Sequence, residues 1–150
     1  MDPDVAQIGE VLTRYATGID RKDWALFRTC WADEIDVDYA DVGTFTDPEA
    51  FTELMEQLHG NMGATYHRLS NFVIDVQGDA ATVRSYVHAV LMLVPGDADN
   101  WIDVIGHYDD VFARTSDGWR IQKRSTSMAR MLTGGARAGA MTAAGIDGQA

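Results

Sequence analysis

The sequence predicts an α+β fold, with three helices followed by a meander of long strands and the helices packed on one face of a curved sheet. Three observations carry this. Apolar residues recur at spacings of three and four before residue 60 and alternate with polar ones after residue 64. Turn signals at Gln77-Gly78-Asp79, Pro95-Gly96-Asp97 and Ser116-Asp117-Gly118 then divide the second half into hairpin-connected strands.

The first helix is expected over residues 4–19, where Val5, Ile8, Leu12, Tyr15 and Ile19 form one stripe and Asp2 or Asp4 serves the N-terminus. Asp20 ends it, on the side of the macrodipole that disfavours a carboxylate. A second helix is expected over residues 22–31, burying Trp24, Phe27 and Trp31. A strand over residues 35–39 leads through a turn at Asp41-Val42-Gly43 to a short return strand at Phe45. Asp47-Pro48 opens a third helix, with Asp as cap and Pro in the first turn, running to His59 and closed by Gly60. Long strands follow over residues 65–76, 80–94, 100–114 and 119–130. In a strand alternate side chains share a face. His67, Leu69, Asn71 and Val73 are expected on one face, and Ile102, Val104, Gly106, Tyr108, Asp110 and Phe112 on another. In the last strand, the set containing Arg124, Thr126 and Met128 and the set containing Trp119, Ile121 and Lys123 both remain open as the inner face. Residues 1–130 thus read as one domain and residues 131–150 as a Gly/Ala-rich tail.

Composition narrows the function classes. The chain has 150 residues, 46% of them hydrophobic, which suits one globular domain. Its net charge is −11, with 12 acids against 4 bases in the first fifty residues, so nucleic acid and anionic membranes are not expected partners. No apolar run reaches the ~18 residues of a membrane span, and no basic segment leads into an apolar stretch at the N-terminus. A single Cys30 makes no internal disulfide, and a cytoplasmic protein is expected. No Gly-rich phosphate loop, GxSxG or HExxH is present, and His59, His67, His88 and His107 have no metal-ligand spacing. Neither a metal nor a cofactor is expected.

What remains is a set of polar residues on otherwise buried faces. The series runs from Tyr15 and Asp20 through Asp23-Trp24, Phe27, Trp31-Ala32-Asp33 and Val37-Asp38-Tyr39. It continues with His67-Arg68-Leu69-Ser70-Asn71, Gly78-Asp79-Ala80-Ala81, Gly106-His107-Tyr108-Asp109-Asp110 and Asp117-Gly118-Trp119-Arg120-Ile121. This resembles a SnoaL-like domain of the nuclear transport factor 2 superfamily, the group that includes scytalone dehydratase, bile-acid 7α-dehydratase and hexachlorocyclohexane dehydrochlorinase. The resemblance implies a cone-shaped barrel, in which a curved, mostly antiparallel sheet wraps three N-terminal helices around an apolar pocket. It implies catalytic roles for Tyr15, Asp20, His67 and Arg124, and substrate contacts from Asp38, His88, Tyr108 and Met128.

The residue types fit that implication. An imidazole oriented by a buried carboxylate is a base for proton abstraction beside a carbonyl. Tyr15 would donate to a developing enolate or a leaving hydroxyl, and Arg124 would stabilise a leaving anion. The implied activity is a cofactor-independent lyase or isomerase, most simply a dehydratase, acting on a steroid-, polyketide- or terpenoid-type ring compound. A polyketide cyclase and a non-catalytic accessory or ligand-binding domain are the alternatives on the same fold. A homodimer or homotrimer is expected, because residues 100–114 carry apolar side chains on both faces and only one face meets the helices.

Overall fold

The structure, a computed structural model, describes residues 1–135. Helix α1 spans Pro3–Asp20, and the Asp2 carboxylate accepts from Asp4 N–H at 2.9 Å to cap it. Its inner stripe of Ile8, Val11, Leu12, Tyr15 and Ile19 is fully buried. Gly18 lets the next helix sit close, since a Cβ there would lie 2.9 Å from the Phe27 backbone nitrogen. Helix α2 covers only Trp24–Arg28, shorter than the sequence predicts. Thr29 ends it by donating its hydroxyl back to Leu26 C=O at 2.6 Å, which competes with further helix. The chain then turns outward, and strand β1 (Trp31–Asp38) begins four residues before the expected Ile35. Trp31 is buried as anticipated, but from a strand.

A single 3-10 turn, Ala40–Val42, leads into the short strand β2 (Thr44–Phe45). Helix α3 (Pro48–His59) starts on the Asp47 cap and buries Phe51, Met55 and His59. Four long strands follow, β3 (Thr65–Gln77), β4 (Ala80–Val94), β5 (Asp97–Thr115) and β6 (Gly118–Gly134). The last runs four residues past 130, and the tail expectation for residues 136–150 lies outside the described residues. The sheet order is β2-β1-β6-β5-β4-β3, antiparallel throughout except where β1 runs parallel to β6. The sheet curves over the helices without closing, as a cone-like α+β fold.

Bulges set which side chains look inward. In β3, Asn71 adopts φ +54° and the register shifts between Ser70 and Val73. His67 and Leu69 therefore face the core, then Ile74 and Val76 do, while Val73 is 67% exposed. The expectation that Val73 shares the His67 face is corrected by this extra residue. In β6 the pairing with β5 skips Gln122, since Val111 pairs Lys123 and Phe112 pairs Ile121. Both Ile121 and Arg124 consequently point inward, and the two candidate inner faces are each correct for half the strand.

Two polar clusters tie the layers together. Arg114 donates both Nη atoms to Asp4 at 2.8 Å and lies 4.5 Å over the Trp119 ring, whose Nε1 also donates to Asp4 at 3.0 Å. These donors hold the Asp4 carboxyl at about 2, against a usual value near 3.8. Inside the core, Arg124 Nε and Nη2 donate to the two Asp110 oxygens at 2.7 and 2.8 Å, with both side chains fully buried. Burial opposes the Arg124 charge, but the Asp110 carboxylate outweighs it and raises the guanidinium pKa.

Asp4→Asn is expected to lower the melting temperature at pH 7. A depressed carboxylate contributes stability above its unfolded value of ~3.9 and loses it on acidification through about 2. The gap between wild type and variant should therefore close as pH falls from about 4 towards 2, as read by thermal melts. Arg124→Met leaves Asp110 buried and unpaired, and urea unfolding should show a loss of about 3–5 kcal/mol. Adding Asp110→Leu should recover most of that loss, because the uncompensated charge is gone.

Candidate active site

The site forms where α1 ends and β3 begins. Strand alternation turns Thr65 and His67 inward and leaves Tyr66 58% exposed. Three donors from this strand converge on the Asp20 carboxylate. Thr65 Oγ1 donates to Oδ1 at 3.0 Å, His67 N–H to Oδ2 at 2.9 Å, and the His67 ring Nδ1 to Oδ1 at 2.7 Å. A carboxylate at a helix C-terminus is unfavourable against the macrodipole, and these bonds are what hold it there. Because an ionised carboxylate only accepts, the bonded Nδ1 of His67 carries a proton, and in the neutral ring the lone pair falls on Nε2. The His67 side chain is 6% exposed and Asp20 22%.

His67 opens on a cavity of about 230 Å³ between the end of α3, the 39–42 segment and the inner face of β4, β5 and β6. Most of its wall is apolar, from Met55, Leu58, Val87, Leu91, Val104 and Met128 among others. Its polar groups are His59, His67, Tyr39, Tyr108, Thr126 and, at the mouth, Asp41. The Thr126 hydroxyl is buried with no hydrogen-bond partner among the described residues. A larger groove of about 630 Å³ lies between α1 and Phe72 and Ile74 of β3, with Glu10 as its only ionisable side chain among the described residues.

At this wall Tyr39 and Tyr108 join Tyr15, one layer back, in a cluster of three phenols over one cation. Tyr15 and Tyr39 hydroxyls bond at 2.7 Å, and each lies 3.4 Å from the Tyr108 hydroxyl. The Arg124 guanidinium packs 3.9 Å from the Tyr108 ring and 4.3 Å from the Tyr15 ring. Burial raises both the Tyr15 and Tyr108 pKa well above the usual value, with Arg124 pulling the other way, so both remain hydroxyl donors at neutral pH. Burial likewise pushes the Cys30 thiol up to about 11, which removes it as a nucleophile.

The structure brings most of the expected residues together. Asp20 and His67 are bonded, while Tyr108 and Met128 line the cavity. Tyr15 is buried one layer back and reaches the cavity through the Tyr39 and Tyr108 hydroxyls. Arg124 lies beneath the tyrosines, paired to Asp110, and does not reach the cavity wall. Asp38 and His88 are not brought to it either. In β1 Val37 faces in, so Asp38 faces out and accepts from Ala40 N–H at 3.1 Å. In β4 Val87 and Ala89 face in, so His88 lies on the outer face beside Asp103, 3.1 Å away.

Sequence reasoning passed over Tyr39, His59 and Thr126. The signal existed for each. Tyr39 continues the Ile35, Val37 alternation, His59 continues the Phe51, Met55 stripe of α3, and Thr126 follows Arg124 by two on one face. Among the described residues no three His, Cys, Asp or Glu side chains converge as metal ligands.

The model of the SnoaL-like domain matches residues 3–125. The solved structure of Kfla4162 from Kribbella flavida is 28% identical, with a TM-score of 0.79, covering 86% of this chain and 93% of that one. A candidate scytalone dehydratase from Novosphingobium aromaticivorans has a TM-score of 0.78 at 21% identity, covering 89% of each chain. Hexachlorocyclohexane dehydrochlorinase LinA type 2 has a TM-score of 0.75 at 21% identity, covering 85% and 86%. At that identity the last two share the fold. An uncharacterised protein of Mycobacterium tuberculosis H37Rv, Rv2910c, is 30% identical over 122 residues, 81% of this chain and 82% of its own. The matched span runs from the start of α1 to the residue after Arg124, and so includes the elements that carry Tyr15, Asp20, His67 and Arg124: the chain belongs to the SnoaL-like domain family, on the nuclear transport factor 2-like fold.

Proposed function

We propose that this protein is a cofactor-independent lyase or isomerase, most simply a dehydratase, acting on a hydrophobic ring ketone. The observation that carries the reading is the 2.7 Å bond from His67 Nδ1 to Asp20, with no partner for Nε2 among the described residues and an apolar cavity beside the ring. The substrate carbonyl sits against the Tyr39 and Tyr108 hydroxyls. His67 Nε2 takes the proton from the carbon beside that carbonyl, and the electron pair moves onto the carbonyl oxygen as an enolate. The phenols donate to that oxygen. Asp20 stabilises the imidazolium while it exists. Collapse of the enolate expels the β-hydroxyl, which takes the proton from His67 and leaves as water, so the site returns to its starting state. Returning the proton to a different carbon instead gives isomerisation. Tyr15 acts by positioning the other two hydroxyls, and Arg124 by placing positive charge beneath them.

The names of two fold relatives, a candidate scytalone dehydratase and a dehydrochlorinase, support elimination as the reaction type. Assembly is part of the same reading. The outer sheet face exposes Tyr66, Tyr86 and Ile105, and a homodimer or homotrimer through that face covers them.

The partial reaction is measurable without the natural substrate, as deuterium exchange beside the carbonyl of β-tetralone in heavy water. His67→Ala and Asp20→Asn should each slow enzyme-dependent exchange by about a hundredfold. The double variant should be little slower than either single one, because the two residues act as a unit. Wild-type exchange rates in His67→Ala would end the proposal. Light scattering at micromolar concentration should return a dimer or trimer, and a monomer removes the assembly claim.

A further inference from the structure

The cavity holds two imidazoles and the proposed reaction uses one. His59 stands on the last turn of α3, 5% exposed, with its ring centroid 6.2 Å from that of His67 and 5.8 Å from that of Trp24. Its Nδ1 donates to Met55 C=O at 2.8 Å, one helical turn back. Burial holds its pKa below the ordinary imidazole value, against the opposing pull of that carbonyl. The ring is therefore neutral with its proton on Nδ1, which leaves Nε2 as an acceptor. No donor among the described residues bonds that nitrogen. His59 lines the cavity and this nitrogen is not one of the buried unpartnered atoms, so it is open there to water or to a ligand donor.

The remaining polar groups divide by role. Hydroxyls come from Tyr39 in the turn after β1, Tyr108 on β5 and Thr126 on β6. The two ring nitrogens come from α3 and the edge strand β3. Hydroxyls can serve a carbonyl oxygen, but a lone-pair nitrogen requires a donor. The cavity of about 230 Å³ is below the range of about 300–1,000 Å³ that holds drug-sized ligands, which sets the occupant at one or two rings.

We propose that His59 is a specificity-determining residue whose Nε2 accepts a hydrogen bond from a substrate hydroxyl, so that the site selects compact one- or two-ring ketones bearing a ring hydroxyl. The placement of the ketone at the phenols rests on the dehydratase-type reading above. The hydroxyl contacted by His59 is distinct from the one expelled, so it remains in the product and orients the ring through the reaction.

The test is equilibrium binding of α-tetralone and its monohydroxylated isomers to the full chain, followed by calorimetry. At least one hydroxylated isomer should bind wild type about fivefold tighter than α-tetralone, the worth of one net hydrogen bond. His59→Phe keeps the ring volume without an acceptor, and the ratio should fall to about one. His59→Gln keeps an acceptor and should restore part of it. α-Tetralone itself should bind wild type and His59→Phe within about twofold, which reports an intact cavity. A hydroxyl preference that survives in His59→Phe overturns the proposal, as does failure of every tetralone to bind wild type. Binding is read without turnover, so wild-type proton exchange in His67→Ala would remove the dehydratase reading and leave this outcome to be judged separately.

Discussion

The buried pair of Arg124 and Asp110 is the constraint around which the cavity is organised. Two charges taken out of water cost several kcal/mol each unless their geometry is close to ideal. Here the geometry is bidentate, and aromatic rings take the place of water. Tyr15 and Tyr108 stack on the guanidinium within 4.3 Å, with Trp31 at 5.3 Å. Such cation–π contacts strengthen when both partners are desolvated. One donor, Arg124 Nη1, has no hydrogen-bond partner among the described residues. The outcome is a fixed positive charge directly below the phenols that face the cavity. That charge eases growth of negative charge on any oxygen the phenols contact, while burial keeps the phenols protonated.

The dyad depends on a different junction. Asp20 links the end of α1 to the start of β3 through both side chains and backbone, so His67 is placed by the same bonds that fix the helix against the sheet. Alternation then does the rest, since Thr65 and His67 share the inner face. Separation of the two elements would cost the carboxylate three donors at once. Preorganisation of the proposed base is thus a by-product of how the sheet edge is anchored.

Much of this is legible in the sequence, and the failures have separate physical causes. The α1 stripe, the Asp47-Pro48 helix start and the three Gly-containing turns each depend on local chemistry, and each appears where expected. Side-chain direction beyond a bulge does not depend on local chemistry. Asn71 and Gln122 reverse the parity of β3 and β6, and nothing near them announces an extra residue before pairing is known. The short α2 reflects competition between helix and the β1–β6 ladder, which is a tertiary effect. Asp38 and His88 are the opposite case. The parity of Val37 in β1, and of Val83, Val87 and Ala89 in β4, marks the inner face plainly, and the resemblance carried polar residues across it. The same parity points to Tyr39, so periodicity and resemblance together read the site better than either does alone.

The wall material explains why the polar groups matter so much. Four of the chain's seven methionines, Met55, Met62, Met128 and Met131, line the cavity. Methionine is flexible and polarizable, and it accommodates many apolar shapes at little cost. Such a wall excludes water and lowers the local dielectric, which strengthens the His67–Asp20 bond and the pull of Arg124 on the phenols. It discriminates poorly between one ring skeleton and another, because a methylene more or less in an apolar pocket is worth only about 1–3 kcal/mol. In the proposed reaction, discrimination falls to the directional groups: phenols that favour an oxygen acquiring charge, and a histidine nitrogen open to a donor. For the proposed ring substrate, the apolar surface would set how tightly it is held, and the placement of a few hydrogen-bonding atoms would set which ring and in which orientation.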